Sequence, residues 1–381
     1  LTPDADGYLG LTSYELVEWS KELLEETDAS QMANALLRIQ SEWVERFGRD
    51  ESFTAALFER SKVVAATCIG LASVRGTDDI EYDLCIIDEA SKVDATAALV
   101  PMVRSRKWVF VGDSRQLPPF EDAVVRDEKL RERFSIDSDE ATESMFERLR
   151  RLLPPDHQKM LVRQYRMVPG IGNLISRCFY DGELENGEVE RKPIDRPLLA
   201  FKGKSVVWSS TRNLERRVEQ EHGRGVYVNP CEAEEIIDQL HDLARVDFGE
   251  GNTVSVLVIS GYQAQAKHLA REVGREQSKL NGLRVECCTI DAVQGREADV
   301  VFFSVTRSNE QGRSGFLNSS QRVNVALSRA QKLLVIVGDD GFVLSAKELE
   351  PLQKVLTHIR GNPDECLFEE VRPRLKLGGR Q

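Results

Sequence analysis

The sequence predicts an α/β fold in which parallel sheets are flanked by helices, and three observations predict it. Short apolar runs recur along the chain, amphipathic stretches separate them, and polar or acidic clusters close several runs. The runs are KVVAATCIG, YDLCIIDEA, KWVFVGD, KSVVWSS, VSVLVIS, VVFFSVT and KLLVIVGD. Runs this short and apolar suit strands buried on both faces.

The front of the chain reads differently. From Leu11 to Arg60 apolar residues recur at helical spacing, as at Leu16, Trp19 and Leu23, then Leu36, Leu37, Trp43, Val44 and Phe47. Residues 1–60 are therefore expected to form a helical hairpin or stalk. The acidic stretch from Glu121 to Glu143 carries no buried-strand pattern, which predicts a linker or lid and a boundary between two α/β domains near Ser144. After Ala346, KELEPLQKVLTHIR predicts one helix and then a frayed end.

Composition narrows the function classes. The chain has 381 residues, 41% of them apolar, and no stretch approaches the roughly 20 uninterrupted apolar residues that a membrane helix needs. A soluble protein without a membrane partner is expected. The segment LTPDADGYLG has neither the basic start nor the apolar run of a secretory signal, and its first residue is Leu1, so the beginning reads as cut rather than processed. The seven cysteines include no CxxC pair, which suits reduced thiols in a cytoplasm. Cys287 and Cys288 sit in the alternating run RVECCTI and read as core positions. A net charge of −12 argues against a passive, charge-driven nucleic-acid binder; strand contact would rely on local basic or backbone-donor surfaces.

LCIIDEAS ends an apolar strand in two carboxylates, Asp88 and Glu89, where a parallel sheet opens its ligand crevice. Alone, the pair reads equally as a loop capping the next helix. The next strand, WVFVGDSRQLPPF, places a second polar cluster of Gly112, Asp113 and Gln116 at the same end of the sheet. Two clusters then converge on one crevice.

IIDEAS followed by VGDSRQLPP resembles motifs II and III of superfamily 1 helicases. Downstream, LVRQYRMVPGIGNLISRCFYDGEL resembles motif IV and its flank, VECCTIDAVQGREADVVFFSVTRSN resembles motif V, and GFLNSSQRVNVALSRAQKLLVIVGD resembles motif VI. The runs follow family order across residues 63–339, nearest to the superfamily 1B branch of the nonsense-mediated-decay helicase and the Okazaki-fragment helicase-nuclease. The resemblance implies tandem RecA-like P-loop NTPase domains with parallel sheets flanked by helices, the first domain incomplete, plus a helical insertion. Residues 1–60 would be that insertion. Residues 61–143 would be the rear of the first RecA-like domain with a linker, 144–345 the second, and 346–381 a C-terminal helix and tail.

The resemblance also implies roles, with ATP and magnesium as cofactors. Asp88 would hold magnesium and Glu89 would orient or deprotonate the attacking water. Gln116 would contact the γ-phosphate and couple it to movement. Tyr165 would stack on adenine, while Arg166 and Arg329 would be arginine fingers; Arg150, Arg151 and Arg217 read instead as solvated surface groups. Gln294 and Gly295 would form the motif V turn, and Glu297 would accept a hydrogen bond from the ribose. Thr67, Thr289 and Tyr262 would contact phosphates of single-stranded DNA or RNA.

A P-loop motor needs GxxxxGK[ST], and no such string occurs in the sequence. Gly203, Lys204 and Ser205 are the nearest match, but Leu198 stands where the motif needs glycine and the segment precedes a strand. Three explanations stand: an incomplete chain whose upstream part supplies Walker A, a motor split over two chains, or a degenerate protein. Intact Asp88, Glu89, Gln116, Arg166 and Arg329 argue against the third. The expected function is the C-terminal part of an ATP-dependent 5′ to 3′ helicase or translocase, inactive in hydrolysis alone. The alternative is a non-hydrolysing helicase-like module that binds a strand or a protein.

Overall fold

The computed structural model describes residues 57–74, 80–119, 128–134, 143–188, 196–249, 251–293 and 295–372. The stalk expected over residues 1–60 falls almost wholly outside them, as does Gln294. The chain divides into two compact units, Leu1–Val111 and Gly112–Gln381. The GDSRQ segment thus groups with the second unit. Within that unit Asp113 and Gln116 are held by side chains far along the chain.

In the first unit, helix α1 (Cys68–Ala72), strand β1 (Cys85–Ile87), helix α2 (Ala95–Met102) and strand β2 (Trp108–Phe110) follow in order. The strands pair in parallel with Cys85 opposite Trp108. Asp94 caps α2 by accepting from the Ala97 amide at 2.8 Å, satisfying a donor that the first helical turn leaves unpaired. KVVAATCIG does not become a strand. A strand needs a ladder partner for its amides and carbonyls, and the described sheet of this unit consists of β1 and β2 alone. Val63 is instead 85% exposed, and the segment runs into α1.

The second unit contains helices α3 (Glu128–Phe134) and α4 (Met145–Leu152), strand β3 (Arg163–Gln164), helix α5 (Pro169–Phe179), and strands β4 (Glu185–Asn186) and β5 (Val206–Ser210). Strands β6 (Gln220–Glu221) and β7 (Tyr227–Val228), helix α6 (Pro230–Ala244), strand β8 (Val254–Ser260), helix α7 (Gln263–Glu276) and strand β9 (Leu283–Thr289) come next. Helix α8 (Ile290–Val293), strand β10 (Ala298–Ser304), helix α9 (Ser320–Leu327), strand β11 (Ala330–Gly338), helices α10 (Asp340–Ser345) and α11 (Glu350–Gly361), and strand β12 (Cys366–Glu370) complete it.

Its main sheet has six parallel strands in the order β12-β5-β11-β10-β8-β9. Successive side chains of a strand point to opposite faces, and the apolar runs fill both. Val206, Trp208, Leu257, Ile259, Val301, Phe303, Leu334 and Ile336 share one core with α5, α9 and α11. Val207, Val256, Val258, Val300, Phe302, Leu333 and Val335 share the other with α6 and α7. Each such side chain stabilises the fold by about 1.5–3 kcal/mol relative to exposure.

The C-terminal tail departs from expectation. CLFEE is not frayed but forms β12, an edge strand in register with β5, Cys366 opposite Val206. The RVECCTI reading holds: both thiols lie in β9, and burial pushes the Cys287 thiol up to about 12 and that of Cys288 to about 11. No helix among the described residues is long and apolar enough to cross a membrane.

Candidate functional site

The acid pair of the first unit follows β1 directly. The Glu89 amide donates to Asp88 Oδ1 at 2.9 Å, and the Ala90 amide donates to the Val111 carbonyl at 2.8 Å, so the turn is tied to the end of β2. Glu89 has φ 52 and ψ 34, a left-handed conformation that costs a non-glycine residue about 1 kcal/mol or more. Both carboxylates are exposed at the C-terminal end of the parallel pair. No group of three or more His, Cys, Asp or Glu placed to hold a metal ion occurs among the described residues. The pair still fits magnesium, which keeps several waters and takes one or two carboxylates plus phosphate oxygens. Thr67, in the same unit, caps α1: its hydroxyl accepts from the Gly70 amide at 3.0 Å while the residue stays exposed.

In the second unit a polar group assembles at the N-terminal edge of β10 and β11. Glu297 directly precedes β10, and Arg329 directly precedes β11. Arg166 Nε donates to Glu297 Oε2 at 2.7 Å, Gln331 donates to Glu297 Oε1 at 2.8 Å, and Arg166 reaches the Ser328 carbonyl at 3.4 Å. Arg329 is buried, 2% exposed. Its guanidinium donates to the carbonyls of Val325 at 3.0 Å and Arg296 at 3.4 Å, to Ser328 Oγ at 3.0 Å and to Gln116 Oε1 at 3.4 Å. Gln116 in turn donates to Asp113 Oδ2 at 2.9 Å. The structure therefore brings Gln116, Arg166, Glu297 and Arg329 together on one edge.

Several supports of that edge have no signature in the sequence. Gln164 accepts from the amides of Arg166 at 2.9 Å and Met167 at 2.7 Å, fixing the QYRM turn. Tyr165 is 59% exposed, and its ring lies against Gly187, where a Cβ would come within 2.3 Å of Cε1. A side chain at Gly187 would therefore displace the Tyr165 ring from this position. Tyr180 donates to Asp113 at 2.5 Å and accepts from Asn324 at 3.1 Å; burial, with the Asp113 charge, pushes its phenol well above the usual range. Arg217 is less free than its reading as a solvated surface group, because it pairs with the buried Asp339 at 3.1 Å; Arg150 and Arg151 are exposed and pair with Glu147 and Glu143.

The two strand-contact candidates of the second unit, Thr289 and Tyr262, lie at the C-terminal ends of β9 and β8, at the opposite edge of the sheet. Thr289 is the last residue of β9, opposite Ser260 of β8, and is half-buried. Tyr262 is 3% exposed: its hydroxyl donates to the Ser314 carbonyl at 3.3 Å and accepts from Arg307 at 3.3 Å. The Tyr262 hydroxyl, expected on a phosphate, is thus occupied inside the fold by the packing of the 314–317 turn. Gly295 has φ 78 and is exposed.

Two AAA domain family models match the chain, over residues 141–341 and 16–121. A regulator of nonsense transcripts 1 homolog of Neurospora crassa is 31% identical over 85% of the chain and 28% of its own length. ATP-dependent helicase NAM7 of Saccharomyces cerevisiae is 30% identical over 75% of the chain and 28% of its own length. A DNA replication ATP-dependent helicase/nuclease of Gallus gallus is 29% identical over 80% of the chain and 27% of its own length. The chain thus spans between a quarter and a third of these curated relatives. With the model match covering more than half of the sequence and the motifs in order, the chain belongs to the AAA-domain helicases of superfamily 1B, of the nonsense-mediated-decay and Okazaki-fragment type.

Proposed function

We propose that the chain is part of an ATP-dependent helicase or translocase that moves 5′ to 3′ along single-stranded DNA or RNA in the cytoplasm. The observation that carries this reading is the grouping of Arg166, Arg329, Gln116 and Glu297 on one edge of the second unit's sheet. Phosphoryl transfer leaves the protein chiefly positioning and charge stabilisation, and cations beside a neutral amide suit that task. Tyr165 supplies an exposed ring for adenine. Asp88 would hold magnesium, whose chemistry is to neutralise charge on the β- and γ-phosphates. Glu89 would orient the attacking water, Gln294 and Gly295 would form the motif V turn, and Glu297 would accept a hydrogen bond from the ribose. Thr67 and Thr289 would donate to strand phosphates.

No GxxxxGK[ST] occurs in residues 1–381, so the phosphate loop would come from upstream residues of the same protein, and this chain alone would hydrolyse little ATP. In the complete protein, Glu89→Gln should abolish strand-stimulated ATP turnover while sparing nucleotide binding. Unchanged turnover removes Glu89 from the water-orienting role, and rapid ATP hydrolysis by residues 1–381 alone overturns the assignment of the phosphate loop.

A further inference from the structure

We propose that Phe316 and Arg322 form a stacking ledge for a nucleobase of the single strand; the inference rests on the strand-binding reading above and adds a contact to the base. Phe316 follows the C-terminal end of β10 in the short turn Gly315–Asn318. It is 50% exposed, while its neighbours Ser314 and Leu317 are buried at 1% and 0%. The turn is built to present the ring. Gly315 has φ 57, and a Cβ on it would lie 2.2 Å from the Tyr262 hydroxyl, so the backbone passes directly over the buried tyrosine. The Phe316 ring rests on that tyrosine, centroids 5.6 Å apart and tilted by 51°.

Arg322 lies with its guanidinium 4.8 Å from the Phe316 centroid. Its Nε is 3.8 Å from the exposed Asp291 carboxylate, and Asp291 is two residues beyond Thr289. Ile290 and Leu317 both come within 4 Å of the position a Cβ would take on Gly261, at 3.6 and 3.9 Å. The ledge therefore sits at the same edge of the sheet as Thr289, the proposed phosphate contact. A phenylalanine held half in water loses part of the stabilisation that burial would give. An aromatic face backed by a cation recovers it when a base stacks there, since every base offers a π-face and the contact tolerates any sequence.

The test compares binding of the complete protein to a labelled oligothymidine strand and to the same strand carrying abasic sites, by fluorescence anisotropy. Wild type should prefer the base-bearing strand by about tenfold, the usual scale for removing one base–aromatic stack. Phe316→Ala should lose most of that preference. Phe316→Leu, which keeps apolar packing on Tyr262, should lose it too, whereas Phe316→Trp should keep or raise it. Phe134→Ala, at an exposed phenylalanine of α3, should leave both affinities unchanged. If Phe316→Ala and Phe316→Leu retain the wild-type ratio, the ledge is wrong and the motor reading stands. If wild type binds neither strand, the strand-binding reading fails and takes the ledge with it.

Discussion

Arg166 Nε donates to Glu297 Oε2 at 2.7 Å across 131 positions of sequence, and both side chains remain partly open, 37% and 47% exposed. An ion pair this accessible contributes about 0–1 kcal/mol to stability. It holds a planar cation ready at the sheet edge without locking it there.

Arg166→Ala should therefore separate activity from folding. Strand-stimulated ATP turnover of the complete protein should fall by about 10³-fold or more, the scale of an arginine finger. The melting midpoint should move by no more than about 4 °C. A turnover loss below about tenfold would assign Arg166 to structure rather than to charge stabilisation.

Arg329→Ala should behave oppositely in the melting experiment. Arg329 is 2% exposed and supports the Val325 and Arg296 carbonyls, so truncation leaves buried acceptors unpaired and a cavity beside α9. A loss of about 3 kcal/mol is expected, read as a lower urea midpoint at unchanged m-value. If Arg329→Ala melts like wild type, its hydrogen bonds are not holding the start of β11.

Glu232 gives a pH dependence. It is wholly buried, accepts from the Thr306 amide at 2.7 Å and from Ser304 Oγ at 2.6 Å, and burial pushes its carboxyl up to about 8 from 4.5. A raised folded-state value means that the native protein holds a proton the unfolded chain has released. Its contribution is complete below pH 4.5 and declines as pH rises toward 8. Glu232→Gln should accordingly gain stability relative to wild type between pH 5 and pH 8.5, measured as the difference in melting midpoint. A difference that stays constant across that range would show Glu232 to be ionised in the fold. The same carboxyl holds Thr306 at φ 70, a strained angle for a β-branched residue.

What the sequence disclosed depended on how many neighbours each element has. Strands β5, β8, β10 and β11, each paired on both sides, require apolar residues on both faces, and their runs stand out. Strand β12 pairs only with β5, spans five residues and ends in two glutamates, so CLFEE looks like a tail. KVVAATCIG has the composition of a strand without a described partner. At the sheet edge, Arg166, Glu297 and Arg329 follow from motif resemblance. Gln164 and Gly187 do not, because their work is to position a turn and a ring, and ordinary residue types do both. Tyr262 shows the converse risk: an aromatic after a strand can face water or the core, and Gly315 lying over its hydroxyl decides for the core.

The stretch from Thr289 to Glu297 joins the two edges of the second sheet. Thr289 is level with Ser260 and Ser304, at the far end of β10 from Ala298, a distance of roughly 20 Å along the strand. Seven residues lie between Thr289 and Glu297, four of them in the single turn of α8, so the chain length available is little more than that distance. In the proposed motor, a displacement of Thr289 would therefore be expected to reach Glu297 and the Arg166 it pairs with. If the proposed function holds, inserting glycines after Val293 should add slack and uncouple strand binding from ATP turnover in the complete protein, measured as retained binding of each ligand with loss of strand-stimulated turnover.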